Sequence, residues 1–235
     1  MWVQFVNAGC ILLGGLLGLL LNGRLTEKHT HTITVGLGIA TLIIGIGSAQ
    51  ESSDILCTII SLVIGTIIGQ LLHIERRMDG LGDWLKSKVA KKGGGRFTEG
   101  FVTASLLFCV GSMAIMGSLE AGTSGDGAII LSKTALDAVM AVTFAATMGV
   151  GVLFSAAAVL VYQGAITLLA AYVTPYLSTE VITCMNGVGG VLLIGTAFNI
   201  IGLTKERVRV GDMLPSMFVP ILYIPVKALL MTIIA

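Results

Sequence analysis

The stretch GAIILSKTALDAVMAVTFAATMGVGVLFSAAAVLVYQGAITLLAAYV, Gly127 to Val173, carries only Lys133 and Asp137 as charges in 47 residues. A helix needs about 20 residues to cross ~30 Å of hydrocarbon, so this run is too long for one upright crossing and long enough for two. Met148-Gly149-Val150-Gly151 is the expected turn. Two crossings here make eight in the whole chain, and a single long tilted helix makes seven.

That the solvent is a bilayer follows from composition. Of 235 residues 55% are hydrophobic and 11% charged, with mean hydropathy +0.96, whereas a soluble domain is about a quarter charged. Besides the opening stretch, the runs Phe5–Leu21, Thr32–Ala49, Ile55–Leu72, Phe101–Gly117, Val181–Leu203 and Met213–Ala235 approach spanning length. Phe5–Leu21 lacks a basic leader and a small-residue exit and reads as a retained span. The expectation is an all-α integral membrane protein, one polytopic domain over residues 1–235.

Charge placement chooses between the two counts, because short cytoplasmic loops hold the excess Lys and Arg. Seven basic residues (Arg76, Arg77, Lys86, Lys88, Lys91, Lys92, Arg96) lie between spans three and four, Lys205, Arg207 and Arg209 before the last span, and Arg24 and Lys28 after the first. The loops around Glu51 and Asp54, Glu120 and Asp126, and 174–180 are acidic. Eight spans put every basic loop inside and both termini outside; seven would split the two basic loops between opposite faces. With eight, spans 1–3 run in the reverse sense to spans 6–8, a candidate inverted repeat. Ile33–Gly45 (ITVGLGIATLIIG) echoes Thr183–Gly195 (TCMNGVGGVLLIG) weakly.

Residues 74–96 form the cytoplasmic basic loop. Within it Met78, Leu81, Leu85 and Val89 recur at helical spacing beside Trp84, with lysines on other faces. This suits a helix lying on anionic headgroups; the plainer alternative is a solvated basic loop. The glycines at 93–95 read as a hinge.

Intramembrane polar residues are functional candidates by default, since a charge in hydrocarbon costs ~3 kcal/mol or more. Lys133 and Asp137 form an (i, i+4) pair at the outer end of span five, read either as an interface anchor or as a substrate or proton site. Lys227 reads as a snorkelling residue in a proline-interrupted last span. Asn7 and Asn186 read as helix ties, and Gln163 and Asn199 either as ties or as neutral ligands. Gly14, Gly18, Gly65 and Gly69 make two small-xxx-small faces suited to close helix packing and available to a homo-oligomer. The four cysteines sit singly in apolar runs and read as packing residues, with no metal spacing among them.

The segment GSMAIMGSLEAGTSGDG (Gly111–Gly127) turns abruptly from apolar to acidic. Gly111, Ser112, Gly117 and Ser118 are candidate hinges. Helix backbone opened at membrane depth must be surrounded by protein or line a cavity, and half-helix ends there bind ions or solutes. The simpler alternative is an ordinary turn after Gly117.

The block Phe101–Ala138, with GVGVLFSAAAVLVYQG (Gly149–Gly164), GVGGVLLIG (Gly187–Gly195) and VRVGDMLPS (Val208–Ser216), resembles the bacterial membrane family called domain of unknown function 554, the YdfK-like proteins, over essentially the whole chain. The resemblance implies a multi-pass protein of the bacterial plasma (inner) membrane with no enzymatic assignment. Where that pattern often has Asn before the Leu-Pro of the last helix, this chain has Gly211-Asp212, which puts a fixed role for an amide there in doubt.

No H-E-x-x-H, G-x-S-x-G or P-loop occurs, so the reading is non-enzymatic, without cofactor, metal or nucleic-acid partner. The expected function is a transporter or channel for a small solute or ion; the alternative is a membrane scaffold or envelope regulator. The expected site comprises Gly111, Ser112, Gly117, Ser118, Asp126, Lys133, Asp137, Gln163 and Asn199, with membrane lipids as the other partner.

Overall fold

The computed structural model describes residues 1–21, 27–52, 54–89, 96–109 and 112–234. Among them the elements are α1 (Trp2–Leu21), α2 (Glu27–Glu51), α3 (Ile55–Leu71), α4 (Ile74–Val89), α5 (Phe97–Cys109), α6 (Ser112–Thr123), α7 (Ala128–Met148), α8 (Gly151–Val173), α9 (Thr179–Ile201), α10 (Val210–Met213) and α11 (Pro220–Ile234), with 3₁₀ turns at Thr174–Tyr176 and Leu214–Phe218. The protein is all-α. Five helices (α1, α2, α7, α8, α9) are long and apolar enough to cross a membrane alone, and up to eight crossings result if three bent pairs each count as one. Those pairs are α3 with α4 (55°), α5 with α6 (59°), and α10 and its 3₁₀ extension with α11 (43°).

The opening stretch doubles back. Gly149 lies at φ 84, where a side chain would be strained, and ends α7 while its N–H still donates to the Ala145 carbonyl at 3.0 Å. The turn packs on the start of α5, because a Cβ on Gly151 would fall on the Phe97 carbonyl. At the same end Arg207 reaches Asp79 at 3.1 Å and Glu75 at 3.4 Å, which joins the two basic connections. At the other end Lys227 pairs with Asp54 at 2.6 Å and Asn186 with Glu51 at 2.7 Å. The molecule therefore has a basic end and an acidic end. Val3, against which a Cβ on Gly127 would fall, puts the start of α1 at the acidic end.

Helix starts follow local chemistry. Asp54 caps α3 by accepting the Cys57 N–H at 2.9 Å, and Ser178 caps α9 by accepting the Val181 N–H at 3.3 Å. Pro220 opens α11, where its missing N–H costs nothing. Pro225 is absorbed inside α11, so the break in the last span falls before Pro220.

α9 is the central helix, the most buried of the five long spans. It lies along α2, α1 lies along α7, α8 lies along α5 and α6, and α3 lies against α10 and the 3₁₀ segment. At the α2–α9 crossing Gly45 faces Gly190, so the two echoing sequences pack against each other. The outward faces carry bare leucine and isoleucine, including Leu13, Leu16, Ile55 and Ile59, each more than half exposed, as a lipid-facing surface requires.

Three expectations change. α6 runs through Gly117 and Ser118 to Thr123; a Cβ on Gly117 would press on Ile129 and Ile130, so this glycine serves close packing and not a hinge. Gly14, Gly18, Gly65 and Gly69 are all spent within the chain, against Ala138, Val142, Ser216 and Asp212; they leave no free face for a second copy. The amphipathic helix starts at Ile74, earlier than its hydrophobic spacing suggests, while 90–95, including Lys91, Lys92 and the three glycines, lies outside the described residues.

Candidate functional site

α7 brings Lys133 and Asp137 to one face, one turn apart. Both are 6% exposed and their side chains pair directly. Asp137 is the tenth residue of a 21-residue helix, about 14 Å along a rod of about 31 Å. Asp137 thus sits near the middle of α7, with Lys133 one turn nearer the acidic-end start of the helix. The Phe108 ring of α5 lies under the Lys133 ammonium, 5.9 Å away, a cation–π contact in a water-poor setting.

Three other helices close around the carboxylate. Asn7 of α1 donates both amide hydrogens, to Asp137 Oδ2 at 3.2 Å and to Gln163 Oε1 of α8 at 3.2 Å. Gln4, one turn earlier, donates to Thr167 Oγ1 at 2.7 Å, and Thr167 donates to the Ser118 carbonyl of α6 at 3.0 Å. The network is incompletely satisfied. Asn7 Oδ1, Gln4 Oε1, Gln163 Nε2 and Ser118 Oγ are buried with no hydrogen-bond partner, each costing about 1–3 kcal/mol if left dry. Free donors and acceptors gathered round a buried ion pair are what a polar ligand would use.

A cavity of about 260 Å³ reaches the pair. Lys133, Asp137, Phe108 and Ala114 line it, and so do Ser48 and Glu51 of α2. Glu51, the last residue of α2, accepts from Asn186 of α9 at 2.7 Å. The cavity therefore links carboxylates near mid-depth and at the acidic end.

Of the expected residues, the structure brings together Ser118, Lys133, Asp137 and Gln163. Gly111 lies outside the described residues. Ser112 opens α6. Asp126 is exposed and accepts the Ala128 N–H at 2.9 Å, holding the loop before α7. Asn199 is elsewhere: its amide closes on the Val208 backbone, donating to the carbonyl at 2.8 Å and accepting the N–H at 2.7 Å. It ties the basic-end connection, away from the Lys133–Asp137 pair. Gln4, Thr167 and Glu51 join the cluster without having been foreseen, and Asn7, read as a helix tie, proves central. Two amides three residues apart in an otherwise apolar α1 were the available signal.

The family described as Protein of unknown function (DUF554) has a model that matches residues 3–224. The chain belongs to this family. Among its DUF554 relatives, the Uncharacterized membrane protein YdfK of Bacillus subtilis (strain 168) is 29% identical over 225 residues, covering 94% of each chain. The Uncharacterized protein YqgA of Escherichia coli (strain K12) is 29% identical over 220 residues, 91% of this chain and 92% of the relative. No solved structure matches this DUF554 chain. The match takes in α1 through the first residues of α11, so the whole polar cluster lies within the family region.

Proposed function

We propose that this multi-pass membrane protein transports a small solute or ion, with the cluster around Lys133 and Asp137 as its binding site. The supporting observation is a buried ion pair on α7, joined through Asn7 to a partly unsatisfied amide network and reached by a cavity that also touches a second carboxylate, Glu51. A purely structural pair is expected to be sealed. This one opens on a cavity.

The chemistry favours a cationic ligand. Asp137 and Glu51 outnumber the single ammonium in the cavity, and Ser48 adds a neutral oxygen to its wall. An incoming cation competes with the Lys133 ammonium for Asp137. The role is non-enzymatic, in the bacterial inner membrane, with the acidic end and both termini outside and the basic end in the cytoplasm.

The test is a melting screen of purified protein against alkali cations and small organic ammonium ions at pH 6 and pH 8, since a ligand of the folded state raises the melting point. A cation-dependent rise, larger at pH 8 and lost in Asp137→Asn, is expected, followed by uptake of that cation into proteoliposomes. An Asp137→Asn protein with unchanged uptake and unchanged pH dependence would falsify the reading.

A further inference from the structure

On the other side of α8 from Gln163 runs a trough of about 880 Å³. Its walls come from α4, α5 and α6 on one flank and α9 and α11 on the other. The floor is buried, with Ile115 2% and Met185 3% exposed, while the rim residues Val161 and Leu169 are 72% and 51% exposed. Ala157, Ala158 and Ala165 line the trough where α8 could have carried leucines. From Phe154 to Leu169 it follows α8 for about 22 Å, most of the ~30 Å hydrocarbon thickness.

Among the described lining residues Tyr162 has the only hydroxyl, and none is charged. A polar solute or a charged headgroup would be stripped of water along such a path at a cost of several kcal/mol. The trough is therefore no route for the cargo of the Lys133 site. Hydrocarbon fits it.

Charge at the basic end says which hydrocarbon. α4 borders the trough with Leu81 and Leu85, and Lys88 follows on the same face at helical spacing. The acids of α4 are partnered: Glu75 is buried, the half-buried Asp79 pairs with Arg207, and the exposed Asp83 accepts from Thr98 at 2.8 Å. Arg76, Arg77 and Lys88 are exposed and Lys86 is half-buried. A helix whose carboxylates are engaged within the chain and whose bases are presented at the membrane boundary is complementary to lipid phosphate.

We propose that this trough is a specific site for one anionic phospholipid, its acyl chain lying between α8 and α11 and its headgroup held by Lys86 and Lys88 of α4. The lipid is resident and not transported. Occupying the trough, it backs α8 and α6, whose other faces build the polar cluster.

The experiment is native mass spectrometry of detergent-purified protein mixed with equal amounts of dioleoyl-phosphatidylglycerol and dioleoyl-phosphatidylcholine. One retained lipid per chain is expected, with phosphatidylglycerol preferred about tenfold or more, given roughly 1 kcal/mol for each nearby Lys. Ala158→Phe, which puts a ring in the trough, should lower retention of both lipids about tenfold, and Lys86→Glu with Lys88→Glu should erase the preference while a lipid is still retained. Should Ala158→Phe not fold, Ala165→Leu, nearer the open rim, tests the same volume. Equal retention of the two lipids, or retention indifferent to the trough variants, overturns the proposal. So does a dimer that Ala158→Phe converts to monomer, because a second copy would then cover the trough.

Discussion

The protein buries carboxylates in two places and treats them differently. At the basic end Glu75 and Asp212 are 6% and 0% exposed, and each receives the other's backbone: the Glu75 N–H donates to Asp212 Oδ1 at 2.9 Å, and the Gly211 N–H donates to Glu75 Oε2 at 2.6 Å. Arg207 and Arg209 stand beside them, the latter 2.8 Å from Asp212. Gly69 lets the Asp212 backbone approach α3 within the space of a missing Cβ. Near mid-depth, by contrast, Asp137 has one ammonium and one amide, unpartnered polar atoms on three neighbouring helices, and open space beside it. The first arrangement locks α3, α4 and α10 together. The second borders open space, and it is the cavity, not burial or unpartnered atoms, that separates the candidate binding site from the clamp, since Asp212 Oδ2 also lacks a hydrogen-bond partner.

The largest expected effect would break this contrast directly. Lys133→Met strands the Asp137 carboxylate in hydrocarbon and should cost about 3–5 kcal/mol, read as loss of folded yield or as a shift in chemical denaturation. Lys133→Met combined with Asp137→Leu should recover most of that stability, because removing both members of a buried pair is near neutral, while the cation-dependent melting shift disappears. If the double variant keeps the shift, the Lys133–Asp137 pair is only another clamp.

Next come the clamp's own variants. Gly69→Leu forces a side chain into the Asp212 carbonyl, and since backbone cannot yield as a flexible side chain does, about 3 kcal/mol or more is expected. Asp212→Ala leaves the buried Glu75 N–H without an acceptor and should cost about 1–3 kcal/mol. In both, any surviving folded protein should give the wild-type cation-dependent shift. A lost shift in Asp212→Ala would place the clamp inside the functional machinery and remove the distinction.

The spans, the doubled-back stretch and the joined basic loops were legible because they depend on quantities that sequence carries: length against hydrocarbon thickness, and the distribution of Lys and Arg. Lys133, Asp137 and Gln163 were legible because polarity in an apolar run stands out on any helix. What did not show was which way an amide points. Asn7 and Asn199 look alike in sequence, yet one meets Asp137 and the other closes on the Val208 backbone, and only the packing of α1 against α7 and the return of the chain after α9 decide it. Gly117 has the same ambiguity, since a hinge and a close approach both call for the absence of a Cβ. Glu51 was hidden by hydropathy: the apolar run ends at Ala49, but the helix continues two residues and carries the carboxylate to Asn186.

The smallest effect compares the two ends through pH. Asp54, at the acidic end, has its carboxyl held below the ordinary 3.8 by the Lys227 ammonium and then by the Cys57 N–H. Its contribution is present above that ordinary value and is lost as pH falls through the lowered one. Glu75, at the basic end, is pushed above its ordinary 4.5 by burial, against the pull of Arg207 and the Gly211 N–H. Folding therefore favours its protonated form, and that contribution is fully present below 4.5 and is lost as pH rises through the raised value. Asp54→Asn keeps the helix cap and removes only the charge, so a deficit of about 1 kcal/mol or less is expected near neutrality, closing in strong acid. Glu75→Gln should move the other way, its stability relative to wild type improving as pH rises past 4.5, because the amide keeps an acceptor for Gly211 without the charge that burial penalises. Melting curves of the three proteins between pH 3 and pH 7 should therefore converge or diverge in opposite senses. Parallel curves would mean that the two ends hold their carboxylates alike.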